Sequence, residues 1–194
     1  MKRVLLFFSL LLICGFSAVV HGQSRKISDI KSVEWLGVDF TAAKFVLVPE
    51  NPVVIVNKYL RKINTLVITE QAKFDIRRFF GIPEVINNID LANDFNAKID
   101  PSKIVTTNGY SFEMDKVREV IQKYDVNDKS GTGMIFIAES LDKVKKTGSY
   151  YVCFFDLKTK EIIECKKKTA QVSGIGFRNY WASSIYVIME NWKE

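Results

Sequence analysis

The chain has 194 residues, 47% of them hydrophobic and 26% charged, with a formal net charge of +6. That balance excludes a disordered polyelectrolyte and fits one folded domain. The charges are interspersed, with no basic stripe carrying stacking aromatics, so no nucleic-acid partner is expected.

Residues 1–22 read as a targeting signal. Lys2-Arg3 precede an almost wholly apolar run, Val4 to Val20, and small residues lie near its end. A cleaved signal peptide is preferred to an anchor, which leaves 23–194 as a single domain. A lipidation box would place a small residue before Cys14, where Ile13 stands. No second apolar run approaches the ~20 residues that span a bilayer, so no transmembrane span is expected after cleavage. Cleavage removes the only histidine, His21, and leaves 26 basic and 22 acidic residues. Histidine-based catalysis and histidine-containing zinc sites are thereby excluded from the mature chain.

Val33 to Asp39 reads as the first strand, Phe40 to Ala43 as a turn, and Lys44 to Val48 as a continuing extended segment. Asn51 and Pro52 form a helix start, and the apolar spacing predicts a helix over 53–70. Phe74 to Phe80 fits either a helical turn or an extended piece. Glu84 to Ile86 is a short strand candidate. Asn87 to Tyr110, rich in Asn, Asp and turn residues, has no clear element and is read as a functional loop or a misjudged segment. Met114, Val117, Val120, Ile121 and Tyr124 predict a helix over 113–124.

Three strands follow: Gly133–Glu139, Ser149–Phe155 and Glu161–Lys166, the last two joined by the tight hairpin Asp156–Lys160. The second is apolar on both faces and should be covered on both. Lys166-Lys-Lys168 suits an edge. Phe177, Trp181, Ile185, Ile188 and Trp192 predict a closing helix over 178–192. The expected fold is α+β: a mixed, mostly antiparallel sheet with helices packed on it, ending in a three-strand meander and a closing helix.

Several groups are candidates for chemistry. Cys153 and Cys165 flank one hairpin. In an oxidising compartment they form a disulfide if the register aligns them; otherwise they stay free, and free thiols are the expectation. Asp125 to Gly131 faintly resembles a calcium loop, but Lys129 stands where an acceptor is wanted, so a plain polar loop and no metal are expected. Asp39, Glu139 and Asp142 sit near strand ends and would serve a carboxylate-based hydrolase if they shared one deep pocket. Gly174, Gly176, Arg178 and Asn179 enter the last helix and form a candidate binding site. The dinucleotide spacing there is incomplete, and no cofactor is expected. Arg178 at a positive helix end calls for an anionic partner, and an internal carboxylate is the expected one.

Trp35-Leu-Gly-Val-Asp-Phe-Thr41, Phe136-Ile-Ala-Glu-Ser140, Tyr151-Val-Cys-Phe-Phe-Asp156 and Gly176-Phe-Arg-Asn-Tyr-Trp-Ala182 resemble a family of small secreted proteins from Bacteroidetes-type bacteria. The resemblance implies secretion and carries over no catalytic or binding residue. At fold level, the closing strand, hairpin and helix are similar to α/β domains of envelope lipoproteins, namely the curli secretion channel subunit and the lipoprotein activators of penicillin-binding proteins. The expected function is that of an exported periplasmic or envelope protein that binds another envelope macromolecule without catalysis. A hydrolase acting on envelope polymer and a small-ligand carrier are the alternatives. The sequence leaves the partner and the oligomeric state open.

Overall fold

The chain is described by a computed structural model, which covers residues 26–126 and 130–193. The expected signal segment lies outside the described residues, as does part of the calcium-like loop.

Strand β1 (Ser32–Asp39) and strand β2 (Lys44–Val46) lie one after the other along the same side of the long strand β5 (Thr132–Asp142). Both run parallel to it, with Trp35 opposite Met134 and Phe45 opposite Leu141. Outside them, strand β3 (Glu84–Asn87) pairs parallel with β1, and strand β4 (Val105–Thr106) pairs parallel with β2. On the other side of β5, strand β6 (Thr147–Asp156) and strand β7 (Ile162–Gln171) complete the sheet as an antiparallel meander.

The sheet therefore has seven strands, and the first five are mutually parallel. This overturns the expected mostly antiparallel sheet: the fold is of α/β type. The sequence favours a mostly antiparallel reading because the hairpins of the meander are local. The parallel strands are joined by helical crossovers, which leave no turn signature between partners.

The first crossover is one continuous helical rod: α1 (Pro52–Val54), a π-helical turn (Ile55–Tyr59) and α2 (Leu60–Thr69). It starts as its sequence dictates, with Asn51 Oδ1 accepting from Val53 N at 2.9 Å and Pro52 in the first turn. The short helix α3 (Ile76–Phe80) follows and ends at Gly81, whose φ of +70° suits a left-handed cap. Helix α4 (Asp90–Ala97) links β3 to β4, and α5 (Met114–Gln122) links β4 to β5. Helix α6 (Phe177–Glu190) closes the chain.

Alternation along the central strands builds a core on each face. Met134, Phe136, Tyr150, Val152 and Phe154 face one way, with Trp35, and pack under α2, α3 and α6. Trp35 meets Phe136 edge-on at 5.3 Å, and Phe45 stacks on Phe177 at 5.5 Å. Ile135, Ile137, Cys153 and Phe155 face the other way and are covered by Val117, Val120 and Ile121 of α5. Strand β6 is thus buried on both faces, as its continuous apolar run requires.

Beyond Trp35, no strand among the described residues flanks the outer edge of β1. Asparagines from two helices take a strand's place. Asn64 Oδ1 accepts from Val38 N at 2.7 Å, and its Nδ2 donates to Val38 O at 3.1 Å. Asn96 Oδ1 accepts from Phe40 N at 2.7 Å, and its Nδ2 donates to Val38 O at 2.9 Å. Asn93 Oδ1 accepts the remaining proton of Asn64 Nδ2 at 3.1 Å. Gly37 makes room for this arrangement: its φ is +91°, and a Cβ there would sit 3.0 Å from Asn64 Oδ1.

Candidate functional site

Strand β1 ends at Asp39, a fully buried carboxylate. Its Oδ1 accepts from Thr41 N at 2.7 Å and from Thr41 Oγ1 at 2.6 Å, which bends the chain away from the strand. Its Oδ2 accepts from Tyr124 Oη at 2.7 Å. Burial pushes the Asp39 carboxyl above its ordinary range, against the hydrogen bonds from Thr41 and Tyr124 and the nearby charge of Lys123. Burial, with the charge of Asp39, holds the Tyr124 phenol well above its usual value, so the phenol is the donor.

Above this pair lies a cleft of about 360 Å³. One wall is the end of α4, with Phe95, Lys98 and Ile99. Another is the 3-10 turn Pro101–Lys103, and Lys44 and Lys123 close the sides. Four lysines thus converge on one concavity. Asp100 offsets part of their charge, at 3.6 Å from Lys103 Nζ. Lys44 Nζ donates to Lys103 O. Lys98 and Lys123 occupy the C-caps of α4 and α5, where the helix dipole favours a cation. The cleft opens at the carboxyl end of a parallel strand, where ligands enter open α/β sheets. Most of its wall comes from 95–104, within the stretch whose sequence showed no clear element.

The other two carboxylates belong to different local structures. Glu139 Oε1 accepts from Phe112 N at 3.0 Å and from Lys167 Nζ at 2.7 Å. Asp142 Oδ1 accepts from Val144 N at 3.0 Å and Lys145 N at 2.9 Å, which shapes the turn between β5 and β6. Only Asp39 of the three lines the cleft. Among the described residues, no group of three or more His, Cys, Asp or Glu side chains is placed to hold a metal.

Gly176, Arg178 and Asn179 line a separate, shallow depression of about 280 Å³ with Lys58, Lys62 and Ile175. Gly176 is the N-cap of α6, with φ +80°, and Gly174 has φ +106°. Arg178 Nε donates to Asn179 Oδ1 at 3.0 Å. The internal carboxylate expected for Arg178 is not what the structure supplies. No ion pair to it is found among the described residues, because the elements packed beside it bring Lys58 and Lys62 instead.

Cys153 and Cys165 stand directly opposite on β6 and β7 and form a disulfide. This corrects the expectation of free thiols. The bulge between Phe154 and Phe155 offsets the hairpin by one residue and brings the two cysteines into register.

No protein-family model, curated protein or solved structure matches the chain. Among the described residues, no helix is long and apolar enough to cross a membrane.

Proposed function

We propose that the protein is exported to the cell envelope and acts there without catalysis, by binding an acidic group of another envelope macromolecule in the cleft at the end of β1. The observation that carries the binding reading is the convergence of Lys44, Lys98, Lys103 and Lys123 beside Phe95, over a carboxylate whose two oxygens are already engaged. A lysine-lined cleft with one aromatic wall is complementary to an anionic group on an apolar or sugar scaffold. The Cys153–Cys165 disulfide and the charged-then-apolar start of the chain support export, since disulfides persist in oxidising compartments.

The test is a calorimetric titration of the exported protein with poly-glutamate and with polygalacturonate, repeated on Lys98→Glu/Lys123→Glu. Binding that weakens about tenfold or more in the double variant is the expected result. Equal affinity in both proteins, or no binding of either polymer, overturns the reading. Both substituted side chains are exposed but reverse the charge at two helix C-caps, so thermal melting checks that the variant remains folded.

A further inference from the structure

Six large apolar side chains are exposed among the described residues, and five of them lie at one end of the molecule: Leu47, Val53, Val54, Val144 and Ile175. Ile175 is 92% exposed and Val144 68%. They occupy three neighbouring segments. The loop after β2 carries Leu47 and leads into Val53 and Val54 at the start of α1. The β5–β6 turn carries Val144, and the β7–α6 loop carries Ile175. Lys143 N donates to Val46 O at 3.0 Å, joining the first two segments. Val172 N donates to Lys146 O at 2.9 Å, joining the second and third. Lys143 Nζ also lies 3.9 Å from the centre of the Tyr180 ring on α6.

The chain maintains this arrangement against its local preference. Leu47 and Lys146 are non-glycine residues with φ of +53° and +54°, a left-handed conformation that L side chains seldom adopt. Cations flank two of the apolar tips: Lys58, Lys62 and Arg178 line the depression beside Ile175, and Lys143, Lys145 and Lys146 adjoin Val144 in the β5–β6 turn. The same segments hold two carboxylates, Glu50 and Asp142; Asp142 is buried against its own turn and its Oδ2 offsets Lys145 alone, at 3.7 Å from Nζ.

We propose that this end of the molecule docks on an anionic lipid surface. Val144 and Ile175 enter the headgroup region while the lysines and Arg178 meet lipid phosphates. A protein interface concentrates its apolar area in one patch and is depleted in lysine. Here the apolar tips stand on separate loops with lysines between them, the pattern of a peripheral membrane contact. The cleft at the end of β1 is a separate site, so docking and acidic-group binding fail independently.

The test is co-sedimentation of the exported protein with phosphatidylcholine vesicles, with and without about a third of phosphatidylglycerol. The expected result is binding that requires the anionic lipid and falls at least about tenfold in Val144→Asp/Ile175→Asp. It should also weaken in Lys58→Gln/Arg178→Gln and in high salt. The substituted side chains lie outside the core, and thermal melting checks that each variant remains folded. Absence of binding overturns the proposal. So does binding that survives Val144→Asp/Ile175→Asp, which would place the lipid affinity elsewhere in the chain.

Discussion

Tyr124 donates a 2.7 Å hydrogen bond from its phenol to Asp39 Oδ2, tying the chain just past α5 to the end of β1 beneath the cleft. The pair is buried, and the proton stays on the phenol because its acidity is suppressed by the same burial and by the Asp39 charge. Removing the donor in Tyr124→Phe leaves a buried carboxylate oxygen without that partner. The expected loss is about 1–3 kcal/mol in urea unfolding. The cleft should also lose affinity for poly-glutamate, because its floor is no longer fixed.

Asp39 has a pH signature of its own. Its carboxyl is raised above the ordinary 3.8, with burial the largest cause. An acid with a raised folded-state pKa holds its proton more tightly in the folded chain. Asp39 therefore favours folding at low pH, and this contribution is lost as pH rises from 3.8 through the raised value. Asp39→Asn has no such dependence. Urea midpoints of the two proteins, followed upward from pH 3.8, should shift in favour of the variant. A shift in favour of the wild type would mean that the hydrogen bonds, not burial, govern Asp39.

The asparagines on the edge of β1 should be as intolerant of substitution as core leucines. Asn96→Ala strips Phe40 N of its acceptor and Val38 O of one donor. Orphaned buried backbone groups cost about 1–3 kcal/mol each. Amide exchange should accelerate at Phe40, while Trp35, paired through the strand ladder, stays protected. Equal acceleration at both positions would indicate a general loss of stability instead of a local one.

These asparagines also explain which parts of the sequence were legible. The rod over 52–69 announced itself through Asn51, Pro52 and an apolar stripe, and the closing helix through its aromatics. Helix α4 did not, because two of the three residues it buries, Asn93 and Asn96, are polar. A periodicity search for apolar residues passes over a helix whose inner face is a hydrogen-bonding surface. Leu91 and Phe95, four apart, were the remaining signal. Strands β1 and β5 are each legible as strands, but their parallel pairing is not, since 99 positions and several crossovers separate Trp35 from Met134. The cleft stayed hidden for the same reason: Asp39, Lys98 and Lys123 meet only once that topology is known.

The disulfide gives a direct test of compartment and register together. Denatured, unreduced protein should show no free thiol from Cys153 or Cys165, and two after reduction. The bridge closes a loop with a sequence separation of 12, so chain-entropy arguments give a stabilisation of about 3 kcal/mol. Cys153→Ala/Cys165→Ala should unfold at lower urea by a corresponding amount. Two free thiols in protein recovered from the envelope would contradict the structure.

Glu139 separates the binding reading from the hydrolase alternative. Its carboxylate holds Phe112 N and Lys167 Nζ, while Tyr151 Oη donates to Phe112 O at 2.7 Å and stacks on the Phe112 ring at 5.3 Å. Together these contacts pin the segment before α5 onto the sheet. Glu139→Gln keeps an acceptor for Phe112 N and gives up the ion pair, whose lysine side chain is 42% exposed, so a loss below about 1 kcal/mol is expected. Glu139→Ala removes both contacts and should cost about 1–3 kcal/mol, with faster amide exchange at Phe112. Poly-glutamate affinity should be unchanged in both variants, because the cleft wall does not include Glu139. A catalytic acid behaves in the opposite way. If the wild type hydrolysed an envelope glycan and Glu139→Gln abolished turnover without altering stability, the non-catalytic reading would fail.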